Sequence, residues 1–124
     1  MTLEALQGVL RDFAQARDWE KFHSPKNLAM ALGAESGELL EIFQWLTEDE
    51  SRALTEAQHR AVSEELADIF IYLVRLADIV KVDLEVSVAD KVADNNRRYH
   101  TAGYRGTARK APHSEGEPGV PLPG

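Results

Sequence analysis

The chain has 124 residues, of which 44% are hydrophobic and 28% charged, and its formal net charge at pH 7 is −7. This size and balance are typical of one globular domain with a real core, and the negative charge argues against a nucleic-acid partner, because a polyanion would be repelled. The sequence contains no cysteine, which excludes a disulfide scaffold, a Cys-ligated zinc site and a thiol nucleophile. We expect a cytoplasmic protein without a signal peptide or membrane contact, since no segment has the required apolar pattern.

Two helices are predicted in the first third of the chain. The first runs from Leu3 to Arg17 and places leucine, valine and phenylalanine side chains on one face. Ser24 followed by Pro25 is typical of a helix start, because a hydroxyl caps free amides and proline costs nothing at the first position. The second helix therefore runs from this point to about Trp45.

Capping signals also precede the third helix. Thr47 and Glu50 have capping-box spacing within the connector LTEDESRALT, which suggests a helical turn there. Thr55 and Gln58 repeat the spacing and predict a third helix over about 56–80.

A fourth helix is predicted after the short break KVDL, with Asp83 as its N-cap and an end near Tyr99. The remaining segment is rich in Gly and Pro and has little periodicity, so we expect loop or disorder there. We place a single domain over residues 1–110 and a flexible tail over 111–124. No strand pattern competes anywhere, and the predicted fold is an all-α, four-helix bundle.

The third helix is apolar over most of its circumference. Such a helix must be buried on several sides, and one small bundle offers too little cover. We therefore expect a homo-oligomer, the common solution for soluble proteins. The residues in question are Val62, Leu66, Ile69, Phe70, Leu73, Val74, Leu76, Ala77 and Val80.

Two helices also present acidic residues on their apolar sides. Glu35 occupies an apolar slot of the second helix, with Glu38 one turn further on. Glu65 falls inside the apolar arc of the third helix, and Asp68 lies at the edge of that arc. Each helix thus carries an inward-facing acid pair at i, i+3.

The acid pairs predict a metal site. A lone E-x-x-E on a helix is common on solvated surfaces, but unpaired carboxylates inside a core are very costly. The two helices offer only Lys26 and Arg75 as nearby cations, and neither follows the acid side. A divalent cation would supply the missing charge, and all-oxygen ligation suits Mg²⁺ or Mn²⁺ rather than zinc or iron.

Aromatic residues near these acids suit a nucleotide ligand. Mg²⁺ held by carboxylates usually keeps positions open for substrate phosphates, and aromatic faces stack bases. A core or lid role is the alternative for each of these side chains. The candidates are Trp45, Tyr72, Trp19, Phe22 and His23.

At the level of motifs, the chain resembles the MazG-like all-α nucleoside triphosphate pyrophosphohydrolases, and most closely their dCTP pyrophosphatase branch. The family motif E-x-x-E, spacer, E-x-x-D reads ESGE at 35–38 and ELAD at 65–68. Further matches cover residues 2–110 and include RDWEKFHSPKNL, GELLEIFQW, EELADIFIYLVRLA, VDL, the run from Lys91 to Tyr99, and RGTARK.

The resemblance implies a homotetramer that hydrolyses dCTP, or a related pyrimidine deoxynucleoside triphosphate, to the monophosphate and pyrophosphate. It implies Mg²⁺ on Glu35, Glu38, Glu65 and Asp68. It also implies base and sugar contacts from Trp19, Glu20, Lys21, Phe22, His23, Trp45 and Tyr72. One departure concerns Leu10, which stands where relatives carry a substrate-contacting histidine and which leaves the base preference open.

Metal-assisted hydrolysis fits both the residues and the resemblance. The cations would neutralise the phosphates while Glu35 or Glu38 orients or deprotonates the attacking water. Lys91, Asn95 and Arg98 share one face of the fourth helix and are candidates for holding phosphate oxygens, with a solvated helix face as the alternative.

Several other functions stay open from the sequence. Within the same chemistry, the substrate could be dUTP, several dNTPs at once, a modified pyrimidine triphosphate or phosphoribosyl-ATP. A di-iron oxidoreductase is disfavoured, because that class uses Glu-x-x-His pairs and no histidine follows either acid pair at that spacing. A non-enzymatic helical interaction module is the remaining alternative.

Overall fold

The structure is a computed structural model that describes residues 1–112. Within these residues, every regular element is helical. The predicted all-α class is therefore confirmed, while residues 113–124 of the predicted tail lie outside the described residues. No helix within 1–112 is long and apolar enough to cross a membrane. The elements are α1 (Leu3–Ala16), a 3-10 turn (Glu20–Phe22), α2 (Pro25–Phe43), α3 (Glu48–Ser51), α4 (Glu56–Val80), α5 (Leu84–Arg98) and α6 (Thr101–Tyr104).

The predicted starts of α2, α3 and α4 are confirmed by their caps. The Ser24 hydroxyl accepts a hydrogen bond from the Asn27 backbone N–H at 3.1 Å, and Pro25 occupies the first helical position. Full capping boxes satisfy the free amides of the other two helices. They are formed by Thr47 with Glu50 at α3 and by Thr55 with Gln58 at α4.

The described chain falls into two compact units, and the first, Met1–Asp83, contains α1 to α4. Helices α2 and α4 pack extensively along each other, and α1 packs on α4. The core of this unit is small, and its fully covered apolar side chains come from all three of these helices. They are Ala14, Leu28, Val74 and Ala77.

The second unit begins at Leu84 and contains α5 and α6. Asp94 is buried in it, and Arg98 donates hydrogen bonds at 3.0 Å to the backbone carbonyls of Ala111 and Pro112. The expectation of loop after α5 was wrong for Thr101–Tyr104, which form α6. The ring of Tyr104 contacts that of Tyr99, just after α5, with ring centroids 5.1 Å apart. A four-residue helix is too short to give a periodic pattern, so only tertiary contacts reveal it.

A charge pair links α1 to α4. Arg11 donates from Nε to Asp78 Oδ2 at 2.9 Å and from its terminal nitrogen to Asp78 Oδ1 at 3.2 Å. Only 14% of the Asp78 side chain is exposed, and the Arg11 hydrogen bond is the main reason that its pKa lies below the usual value. The pair therefore favours the folded state at neutral pH.

We expect Arg11→Ala to lower the melting temperature at pH 7, because it removes a bidentate bond from a mostly covered carboxylate. Arg52→Ala is the matched control, and it should lower the melting temperature less, since its contacts with Glu48 and Asp49 are long and exposed. Thermal unfolding of both variants measures the difference. Equal shifts would contradict a special role of the Arg11 pair.

Candidate functional site

The packing of α2 on α4 brings three carboxylates together, which we call the acid cluster. Glu35 and Glu38 project from α2 and Glu65 from α4, and one oxygen of each lies within 4.8 Å of the other two. Glu35 and Glu65 are half-buried, whereas Glu38 is exposed. Residues 30 positions apart in sequence thus form one group of oxygen donors.

Two oxygens of the acid cluster are buried and lack any partner. Oε2 of Glu35 and Oε2 of Glu65 are covered and accept no hydrogen bond. A buried carboxylate oxygen without a donor costs free energy, and this cost persists only where something else compensates. The two oxygens therefore point to a positively charged ligand.

The electrostatics of the acid cluster lead to the same conclusion. Burial, followed by the neighbouring carboxyl groups of Glu65 and Glu38, raises the pKa of Glu35 to about 7. Burial is also the largest cause of the raised pKa of Glu65. Like charges at this distance disfavour full ionisation, and a bound cation would reverse that effect.

The donor set of the acid cluster fits a hard divalent cation. All its donors are carboxylate oxygens, which is the ligand type of Mg²⁺ and Mn²⁺. Within residues 1–112, no lysine or arginine forms an ion pair with Glu35, Glu38 or Glu65. The charge of the cluster is thus left for a metal ion to balance.

Asp68, the fourth predicted ligand, lies one helical turn beyond Glu65 on α4. It is not within the 4.8 Å group formed by the other three acids, but its charge contributes to the raised pKa values of Glu35 and Glu65. Its side chain lines an adjacent cavity. Asp68 therefore stands between the acid cluster and that cavity.

The adjacent cavity, which we call the aromatic cavity, has a volume of about 140 Å³. A cavity of about 150 Å³ accepts benzene, so this space is on the scale of a single six-membered ring. Phe13 and Trp19 meet edge to face in its wall, with ring centroids 5.6 Å apart. The lining residues are Leu10, Phe13, Trp19, His23, Asp68, Ile71, Tyr72 and Arg75.

A buried arginine organises the polar side of the aromatic cavity. Arg75 is 5% exposed, and its Nε donates a hydrogen bond to His23 Nδ1 at 3.3 Å. Its terminal nitrogens lie 3.7 Å from Glu20 Oε1 and 3.5 Å from Asp78 Oδ2. Burial and then the charge of Arg75 lower the pKa of His23, although Glu20 acts in the opposite direction. Burial and Arg75 together favour the neutral form of the His23 imidazole.

The structure brings some of the predicted substrate residues together. Trp19, His23 and Tyr72 line the aromatic cavity, and Glu20 contacts its wall through Arg75. Lys21 instead pairs with Asp18 at 2.9 Å, and Phe22 is 59% exposed.

Three other predicted residues do not line this cavity. Trp45 follows the end of α2 and is 85% exposed. Lys91 and Asn95 lie on α5 in the second unit, where Lys91 Nζ is 4.0 Å from Asp94 Oδ2. Their roles toward a substrate stay predictions.

Sequence reasoning missed three residues of the cavity wall. Phe13 and Ile71 have no feature in the sequence that separates them from other apolar positions, and Arg75 is predicted only as a cation away from the acids. One signal was available for Arg75: it follows Asp68 by seven residues and Tyr72 by three, which places all three on one side of α4.

The chain is similar to proteins of known activity. The chain is 44% identical over 111 residues to dCTP pyrophosphatase 1 of Homo sapiens and 46% identical to that of Bos taurus, covering 88% of this chain in each case. The match spans 65% and 66% of those relatives' own lengths. A solved pyrophosphatase from Archaeoglobus fulgidus DSM 4304 has 42% identity and a TM-score of 0.74, over 78% of this chain and 91% of that one.

The family comparison covers the whole acid cluster. Residues 30–111 match the MazG-like family, and this range contains Glu35, Glu38, Glu65 and Asp68. It also contains the α2–α4 pair that brings the carboxylates together. The chain therefore belongs to the MazG-like family.

Proposed function

We propose that this chain is a Mg²⁺-dependent nucleoside triphosphate pyrophosphohydrolase that cleaves dCTP, or a related pyrimidine deoxynucleoside triphosphate, to the monophosphate and pyrophosphate. The observation that carries the proposal is the acid cluster, with two buried oxygens that lack partners, beside a cavity of single-ring size. The printed activity of the relatives, dCTP pyrophosphatase, is chemistry of this kind.

Helix α4 aligns the two halves of the proposed site. Glu65, Asp68 and Tyr72 follow one another at i, i+3 and i+7, so they lie on one side of the helix. Seven residues of helix rise about 10 Å, a separation that one nucleotide can span. A base in the aromatic cavity would thus present its phosphates to the acid cluster.

Glu35, Glu38 and Glu65 would hold the cation, with Asp68 as the fourth ligand. When bound, Mg²⁺ neutralises the charge of the triphosphate and polarises the phosphoryl group. Mn²⁺ has the same oxygen preference and is an alternative.

Glu35 or Glu38 would orient the water that attacks the α-phosphorus and accept its proton. Glu35 suits this role because it lies in the acid cluster, next to the position that the cation and its water would take. Its unpartnered Oε2 is the atom available for the proton. Pyrophosphate is the leaving group.

The size of the aromatic cavity favours a pyrimidine over a purine. Trp19 and Tyr72 supply aromatic faces for stacking, and the space of about 140 Å³ suits one ring rather than two fused rings. Leu10 contributes an aliphatic surface to this wall, where a polar side chain would read the base edge. Loose discrimination among pyrimidines follows, and a broad-specificity dNTP or dUTP pyrophosphatase is the second candidate function.

We also propose that copies of the chain assemble into a homotetramer. Helix α4 leaves Leu66, Phe70 and Leu73 between 37% and 51% exposed. A contiguous apolar face of this kind is typical of an interface. In such an assembly, Lys91 and Asn95 of α5 and the exposed ring of Trp45 would be available to contact a bound nucleotide.

The proposed reaction is tested with a panel of deoxynucleoside triphosphates in the presence of Mg²⁺, with both products identified. We expect monophosphate and pyrophosphate, with dCTP turned over faster than dATP or dGTP because of the cavity size. Glu38→Ala should reduce turnover of every substrate by at least about a hundredfold, since it removes a proposed metal ligand.

Glu41→Ala is the matched control for this experiment, because Glu41 is exposed on the same helix outside the acid cluster. It should retain activity. Near-normal activity of Glu38→Ala would contradict the metal assignment. Hydrolysis of purine triphosphates as fast as dCTP would contradict the pyrimidine site and favour the broad-specificity alternative, whereas no pyrophosphate release at all would favour an interaction module.

We expect Glu35→Gln to stabilise the metal-free protein above about pH 7. The pKa of Glu35 rises from 4.5 to about 7 on folding, so the folded state binds more protons in this window, and its stability falls as the pH rises through it. Glutamine removes this loss, so the variant should have the higher melting temperature at about pH 8 and little advantage at about pH 4.

Glu64→Gln is the control, because Glu64 is exposed on α4. It should show no such pH dependence. Added Mg²⁺ should raise the melting temperature of the wild type more than that of Glu35→Gln, since binding to the folded state stabilises it. A Glu35→Gln advantage that is the same at both pH values would be inconsistent with the raised pKa.

Light scattering tests the assembly, and we expect the mass of four subunits at micromolar concentration. Phe70→Glu should lower the mass, because it places a charge in the proposed interface, while Arg60→Glu, at an exposed polar position, should not. A monomer mass for the wild type would contradict the proposal. A mass of two subunits would be consistent with burial of the apolar face of α4 but would contradict a tetramer.

A further inference from the structure

We propose that Arg75 is a positioning residue that holds His23 as the neutral imidazole with its proton on Nε2, so that His23 donates a hydrogen bond to an acceptor of the base in the aromatic cavity. This inference rests on the proposed function for the identity of the ligand. It assigns a specificity role to Arg75, Asp78 and Arg11. All three lie outside the acid cluster, and Arg75 is the one that lines the aromatic cavity.

The hydrogen bond between Arg75 and His23 fixes the direction of donation. A guanidinium has only donors and does not lose its proton in proteins, so the Nδ1 atom that faces Arg75 Nε at 3.3 Å must be the acceptor. An imidazole whose Nδ1 accepts has its proton on Nε2 when it is neutral. Nε2 is then the nitrogen left for a ligand, and it is a donor.

Arg75 is itself held in place by one charge from the 3-10 turn and one from its own helix, α4. Glu20 of the 3-10 turn lies 3.7 Å from one terminal nitrogen, and Asp78 lies 3.5 Å from the other. Arg11 of α1 grips Asp78 through two hydrogen bonds of 2.9 and 3.2 Å. The single N–H of Nε is thus aimed at His23 by a network that spans α1, the 3-10 turn and α4.

The surroundings of His23 favour its neutral form. Arg75 disfavours an imidazolium and Glu20 favours one, with burial as the dominant influence that lowers its pKa. Asp68 and Tyr72, on the same cavity wall, are the other ionisable groups of the lining. A neutral donor of fixed direction suits a neutral heterocycle, because it pairs with a ring nitrogen or carbonyl acceptor without burying an extra charge.

A fixed donor selects a base that presents an acceptor at the matching position. Cytosine offers an unprotonated N3 as an acceptor, whereas uracil and thymine carry a proton on N3. The C2 carbonyl is common to all three bases, so the selection requires that Nε2 of His23 donates to N3. A site built around a polar contact rejects analogues that leave it unpaired. The Arg75–His23 pair is therefore a means of selection in a cavity whose other walls are mainly apolar.

The first test is the tautomer itself, measured on the metal-free and ligand-free wild type at about pH 8 by imidazole ¹⁵N chemical shifts. The His23 signals are assigned by their loss in His23→Gln. We expect Nε2 to be protonated and Nδ1 unprotonated. A protonated Nδ1 would overturn the proposal, and this measurement needs neither a variant of Arg75 nor any enzymatic activity.

The second test is a double-mutant cycle on dCTP hydrolysis. Arg75→Met should raise KM about three- to tenfold with little change in kcat, as expected for the loss of one neutral hydrogen bond that binds substrate and transition state alike. In the His23→Gln background, the amide N–H₂ donates without any tautomer to fix, so Arg75→Met should raise KM less than about twofold.

Equal costs of Arg75→Met in both backgrounds would assign Arg75 a structural role only and overturn the proposal. Circular dichroism of each variant establishes that it is folded. If Arg75→Met does not fold, the ¹⁵N measurement of the His23 tautomer in the wild type still tests the proposal. Failure of the proposed function is seen separately, as absence of pyrophosphate release from dCTP by the wild type.

Discussion

The site depends on one electrostatic constraint, which is the packing of α2 against α4 with three carboxylates at the contact. Glu35, Glu38 and Glu65 place oxygens within 4.8 Å of one another, and two of these oxygens are covered without a donor. The packing of α2 on α4 creates a repulsion between these carboxylates, so the packing cannot also relieve it. The cost is typical of a site built for a ligand that supplies positive charge.

The aromatic cavity is lined in part by the same helix, α4. Tyr72 follows Asp68 by one turn, so the backbone of α4 sets the distance between ring and carboxylate. Sites on regular elements hold their geometry better than sites on loops. His23 is the exception, since it lies in a connection, and the buried guanidinium of Arg75 provides the rigidity that the backbone there does not.

Stability and recognition share side chains in this small unit. Asp78 ties α1 to α4 through Arg11 and also contacts the arginine that faces His23. A change at Asp78 would therefore affect the fold and the cavity together. The core is limited, with Leu28 and Val74 as its largest fully covered side chains, and it leaves an apolar face of α4 exposed.

The sequence by itself determined the four long helices and the identity of the acids. Caps such as Thr55 with Gln58 act within one turn, and helical periodicity places Glu35 and Glu65 on apolar faces, so both features are local. Only the tertiary structure decided which side chains meet across helices. It separated Asp68 from the tight acid cluster, brought Phe13 into edge-to-face contact with Trp19, and brought Arg75 to His23 across 52 residues of sequence. Such contacts depend on how the helices are rotated and packed against one another, and local sequence patterns do not determine this.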